Sequence, residues 1–306
     1  MNWLLITILA YFFLALVSLF DRYLLKGEIP NPYTYTFFIG ISWLFLTPFL
    51  FLLGLNFLDI KLDIKFSLLA TLAGVLRIPA LLFLLKGIKE SEASRVVPSI
   101  GGFLPIFTFL LFSLFLPQRE SFNLFVLSSF FILISGSVLI SLQNSSKKIF
   151  NFTNLRKPII SAFFWALSFF FLKISYLKLN FATGFFLSLI GGAFSSLLFL
   201  ISFKIKKEIF SQKLSSKIFG FFILGQSFGG IGFLLQNFAL FLAKPYQVPF
   251  INALEGTRYL FLIFLVWLLS AFNPKILKER MGGRTLYQKI LGVLLIAIGL
   301  ATLSLK

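Results

Sequence analysis

Ten apolar runs, each about as long as the ~20 residues that a helix needs to cross a bilayer, account for most of this chain. They are Trp3–Phe20, Tyr33–Leu55, Phe66–Gly87, Val96–Phe115, Phe122–Leu142, Ile159–Leu177, Phe181–Phe203, Ile218–Ala243, Tyr246–Ser270 and Leu286–Leu305. Backbone in hydrocarbon must satisfy its own hydrogen bonds, so spanning segments are helices or closed barrels. Barrels alternate apolar and polar side chains in strands of about ten residues, and no such alternation runs through this sequence. The expectation is an all-α integral membrane protein of ten transmembrane helices, multi-pass in the cell membrane.

Composition narrows the chemistry. Apolar residues make up 58% of the 306 and charged residues only 12%, too few to solubilise a globular domain of this size. There is no Cys and no His, which removes disulfides, thiol chemistry and imidazole relays and argues against a metal or haem site. No cofactor is expected. The first run follows Met1 almost at once, without a basic leader or small-residue cleavage site, and reads as a true span. A formal net charge of +18 would suggest nucleic acid in a soluble protein. Here Lys and Arg lie in the short gaps between apolar runs, where they hold helix ends at lipid headgroups, so the bilayer and no nucleic acid is the expected partner. The sequence leaves the oligomeric state open.

The chain also repeats itself. The polar stretch Gln143–Pro158 divides it into a first unit, 1–142, and a second, 159–306, with 143–158 as the loop between them. The first unit ends with Gln118-Arg119-Glu120 and a span closing in Ser135–Leu142; the second ends with Lys278-Glu279-Arg280 and a span closing in Ile298–Leu305. Aligned, these endings match Gly136 with Gly299, Ser141 with Ser304 and Leu142 with Leu305. Five spans per unit is an odd number, so the second unit must sit upside down relative to the first. Many secondary carriers are built this way, with the substrate site near the midplane between repeats.

Gly87-Ile88-Lys89-Glu90-Ser91-Glu92-Ala93-Ser94 leads into a span containing Pro105, followed by Arg119-Glu120 and a fifth span with glycine. The second unit echoes this with Ala243-Lys244-Pro245, the ninth span, Lys278-Glu279 and a tenth span with glycine. The pattern resembles the EamA repeat of the drug/metabolite transporter superfamily. That resemblance implies two inverted five-helix repeats around a cavity lined mainly by the third, fourth, eighth and ninth helices. One departure is that Glu255 falls where the first repeat has Pro105.

Two arguments about orientation disagree. Of the 28 Lys and Arg residues, 19 lie in the odd-numbered gaps and seven on the opposite face, which places both termini outside the cell. The resembled family implies both termini inside.

Ionisable groups deep in a span cost a few kcal/mol and mark functional sites. Arg77, Glu255 and Arg258 qualify. Glu255 and Arg258, three residues apart, share a helix face; they either brace each other or open to admit a solute. Arginine grips carboxylates and phosphates through its planar fork, so an Arg77 facing the cavity implies a preference for anions. Glu255 is the candidate for proton coupling. Gln226, Ser227, Gln236 and Asn237 in the eighth span and Asn252 in the ninth are further polar groups, read either as helix-to-helix glue or as solute contacts. Gly101, Gly102 and Pro105 are expected to break the fourth span, and Gly229 and Gly230 to pack closely or hinge the eighth. Trp3, Trp43, Trp165 and Trp267 read as interfacial anchors, with Tyr11 and Trp165 nearer span centres as packing groups.

The expected function is therefore a secondary carrier of a small polar metabolite, an organic anion or an amino acid. A lipid-handling or scaffold protein of the same fold, or a membrane-embedded lipid-modifying enzyme, is the alternative. No nucleotide-binding motif is present, and the chain is read as no enzyme.

Overall fold

A computed structural model describes residues 2–29, 31–47, 63–90, 93–116, 124–141, 152–212 and 214–272, with scattered positions between 287 and 302. Among them there is no strand. The helices are α1 (Asn2–Lys26), α2 (Pro32–Ser42), α3 (Ile64–Glu90), α4 (Ala93–Phe115), α5 (Leu124–Ser141), α6 (Phe152–Ser175), α7 (Phe181–Leu197), α8 (Phe203–Ser211), α9 (Ser216–Leu242), α10 (Val248–Ala253) and α11 (Glu255–Phe272). Short 3-10 turns follow α2 at Trp43–Leu46 and α7 at Leu198–Ile201. Among the described residues, five segments are long and apolar enough to cross a membrane: Asn2–Leu25, Ile64–Glu90, Arg156–Ser175, Phe181–Ile201 and Ser216–Leu242. The expected end of the second span, most of the loop 143–158, the sequences directly after Leu116 and Phe272, and most of the tenth span lie outside the described residues.

Helix starts follow local chemistry. The side chains of Asn31, Asn180 and Ser215 accept hydrogen bonds from the first free amides of α2, α7 and α9. Pro32 occupies the first position of α2, where no amide hydrogen is needed. The run expected to extend to Phe203 turns instead after Ile201, and α8 follows, a short basic helix with Phe203 and Phe210 exposed.

The outside of the bundle is apolar. Ile190, Phe194, Leu197 and Leu198 on α7 and its 3-10 extension, and Ile223, Leu224 and Ile231 on α9, are exposed, as suits a lipid-facing surface. Polar groups go inward: Thr7, Arg77, Ser161, Ser168, Ser188 and Asn237 are all fully buried. Ser161 and Ser168 on α6 donate to the carbonyls of Ala80 and Ala73 on α3, fastening the two helices. Lys173 donates to the carbonyls of Leu240 and Phe241 at 3.0 and 3.1 Å, closing the C-terminal end of α9.

Glycine sets the closest crossings. A Cβ on Gly191 would press on the Thr71 backbone, and one on Gly74 would lie 2.8 Å from the Gly192 nitrogen, so α3 and α7 meet backbone to backbone. Gly225, Gly229 and Gly232 of α9 lie against Phe20, Val17 and Ala10 of α1. Gly229 and Gly230 thus sit at close contacts, Gly230 on Leu46. The expected break is absent in this conformation. α9 runs unbroken through Gly229 and Gly230, and α4 runs unbroken through Gly101, Gly102 and Pro105. Pro105 lacks the amide hydrogen that would reach the carbonyl of residue 101; one turn on, the Thr108 hydroxyl donates to the Leu104 carbonyl at 2.9 Å and to that of Pro105 at 3.0 Å. The discontinuity lies in the ninth span at Leu254, between α10 and α11. There the carbonyl of Leu254 accepts from both the amide and the hydroxyl of Thr257.

Candidate functional site

The core of the bundle holds a cavity of about 120 Å³ that opens to solvent. Its walls follow helical spacing. α1 supplies Tyr11, Leu14, Val17 and Asp21; α9 supplies Gln226, Gly229, Phe233 and Gln236; α11 supplies Glu255 and Arg258. Each set recurs at three- or four-residue steps, so it forms one stripe on one helix. Ile39 and Trp43, Leu81 and Leu84, Ile100 and Leu104, and Trp165 with Phe169 close the remaining sides. Both sequence units therefore contribute to the wall.

Three of its residues bring carboxyl or guanidinium groups. Arg258 donates from Nη2 and Nε to the Ser18 hydroxyl at 2.6 and 3.2 Å, and from Nη1 to Glu255 Oε1 at 3.4 Å. Glu255 is only 7% exposed. The Tyr35 hydroxyl donates to Asp21, and Gln226 lines the cavity beside the same carboxyl. At the cavity's other polar edge, Tyr11 donates to the Ile251 carbonyl at 2.9 Å and accepts from Gln236 Nε2 at 3.3 Å. These bonds tie α1 to α10 and fix the hydroxyl and the amide at the cavity surface.

Arg77 is not in this wall. It is fully buried, donating to Asn237 Oδ1 at 3.2 Å and Ser188 Oγ at 3.4 Å, with its guanidinium carbon 4.3 Å from the centre of the Phe233 ring. The preference for anions depended on Arg77 facing the cavity, and the cavity instead holds one guanidinium against two carboxylates. Asn237 is committed to Arg77 and to the Phe233 carbonyl, so it is part of that brace. Asn252 is fully buried, neither of its side-chain polar atoms has a hydrogen bond among the described residues, and it does not line the cavity. Ser227 is exposed and bonds back to Ile223 of its own helix. Of the expected polar groups, Gln226, Gln236, Glu255 and Arg258 come together.

Asp21 is the acidic group that sequence reading passed over. The apolar run ends at Phe20, which put Asp21 in a gap, whereas α1 continues to Lys26 and carries the carboxylate inward. The signal was the stripe Tyr11, Leu14, Ser18, Asp21 at helical spacing. Trp43 and Trp165 were assigned to anchoring and packing roles, yet both line the cavity.

Neither a protein-family model nor a curated protein matches the chain. Sixteen chains of solved structure are similar to it. One, a crystal structure of another protein, aligns with a TM-score of 0.68 over 98% of this chain and 96% of its own, at 14% sequence identity. At that identity the likeness shows a shared fold.

Proposed function

We propose that the chain is a secondary carrier of a small polar solute. It would be built of ten transmembrane helices in two inverted five-helix units, 1–142 and 159–306, as the resemblance to the EamA repeat implies. The observation that carries the proposal is the cavity itself, walled by polar and charged groups from both units and surrounded by an apolar exterior. Rocking of the units about such a cavity gives alternating access.

Reciprocal packing supports the repeat. α3, the third span of the first unit, lies on α6, the first of the second, and α9, the third of the second, lies on α1. α4 lies on α6 in the same way that α11 lies on α1. The matched glycines behave alike: a Cβ on Gly136 would meet Ile296 at 2.8 Å, and one on Gly299 would meet Leu133 at 2.7 Å. Contacts of residue i with j and of j's counterpart with i's are those a two-fold axis produces.

In this reading Arg258, Gln226 and Gln236 contact the solute, and Glu255 exchanges a proton with it or with solvent, joined in that role by Asp21. The test is counterflow in proteoliposomes, which are preloaded with a mixture of unlabelled metabolites and challenged with labelled ones. Exchange that depends on the protein and is lost in Arg258→Ala is expected. No exchange of any solute contradicts the carrier, and conversion of a lipid under the same conditions points to the enzyme alternative.

A further inference from the structure

We infer that the solute bound in this cavity carries a protonated amine on a compact apolar or aromatic body. The inference rests on the carrier reading for its physiological meaning and on the cavity geometry alone for its chemistry.

Among the described residues, the ionisable pair-forming groups of the wall are Asp21, Glu255 and Arg258. Two carboxyl groups, Asp21 and Glu255, share the wall with one guanidinium, which pairs with Glu255. Arg258 is held by Ser18 on one side and Glu255 on the other. Glu255 keeps one oxygen open. It is 7% exposed, its Oε1 receives only the 3.4 Å bond from Arg258, and its Oε2 receives no hydrogen bond among the described residues. A carboxyl oxygen that faces the cavity with no protein donor is available to a donor carried by the solute, and a positively charged donor makes the stronger bond.

The rest of the wall fits such a donor. Tyr11, Trp43, Trp165, Phe169 and Phe233 line the same cavity with ring surface. Ring faces accommodate an apolar body and attract an ammonium group, most strongly when it is desolvated. An incoming carboxylate would meet Asp21 and Glu255 and gain nothing from Arg77, which is spent on Asn237 and Ser188.

The test uses three probes with closely similar phenyl bodies: phenethylamine, 2-phenylethanol and 3-phenylpropionate. Binding of labelled phenethylamine to the purified full-length protein in detergent is measured by equilibrium dialysis, with the other two as competitors. Phenethylamine is expected to bind at least about tenfold more tightly than the alcohol, the size of one charge-assisted hydrogen bond, and 3-phenylpropionate is expected to bind weakest. Glu255→Gln and Asp21→Asn keep the shape of their side chains. Each is expected to reduce phenethylamine affinity about tenfold or more while changing that of the alcohol less than about threefold. The amine-to-alcohol ratio within one protein preparation separates this effect from a loss of folding. Equal binding of alcohol and amine, tighter binding of the carboxylate, binding of none of the three, or an unchanged ratio in both variants overturns the inference. Amine binding without flux in proteoliposomes keeps the site and removes the carrier. Flux of anionic solutes that phenethylamine does not inhibit keeps the carrier and removes the amine.

Discussion

The guanidinium of Arg77 stands 4.3 Å from the centre of the Phe233 ring, and Phe233 lines the cavity while Arg77 does not. Trp43 stacks on the same ring at 5.3 Å with the planes 13° apart. Phe233 therefore joins two environments, a buried cation held by neutral partners and a cavity rich in carboxylate.

Arg77 fastens α3 to α7 through Ser188 and to α9 through Asn237. Truncation to Ala leaves Asn237 Oδ1 buried without its donor, at a cost of about 1–3 kcal/mol. Arg77→Ala is expected to lower the thermal unfolding midpoint in detergent, and Arg77→Lys to restore only part of the loss because an ammonium lacks the planar fork. A variant as stable as the parent would show that the brace is not structural.

This division was only half visible in the sequence. A lone arginine in an apolar span announces that it must find partners, but not whether they are a solute or neighbouring helices. Ser188 and Asn237 lie 111 and 160 residues away, and only the crossing of α3, α7 and α9 brings them together. The all-helical character was legible because span length is set by the bilayer and long apolar runs are hard to mistake. Asp21 was hidden because an apolar run ends before the helix that contains it, and the discontinuity at Leu254 because neither glycine nor a proline at that position marks it. Pro105 carried the opposite error. Proline inside a span predicts a break, and the helix absorbs it.

The crossing of α3 and α7 gives a sharp stability contrast. Gly191→Ala places a methyl group against the Thr71 backbone, where no side chain can yield, so a marked drop in unfolding temperature is expected. Gly220→Ala adds a methyl with nothing within 4 Å and stabilises the helix by up to about 1 kcal/mol. Thermal unfolding of both variants checks the pair; equal effects would mean the crossing is not as close as described.

Ser18 orients Arg258 through two hydrogen bonds. Ser18→Ala frees the guanidinium and is expected to reduce solute exchange about tenfold or more, the worth of a hydrogen bond to a charged group. Ser227→Ala, on the exposed face of α9, is expected to leave exchange at the parental rate. Counterflow rates for the two variants decide whether Arg258 acts from a fixed position.

The account stands on the cavity being wet, and the absence of Cys makes that directly measurable, since single cysteines can be introduced without removing any. A methanethiosulfonate reagent that cannot cross membranes reacts with the thiolate, which forms in water and not in lipid. Applied to both sides of the membrane, it is predicted to modify Gln226→Cys and Gln236→Cys on the cavity stripe of α9 and to spare Ile231→Cys on its exposed apolar face. Cavity positions as inert as Ile231→Cys would contradict a solvent-accessible cavity.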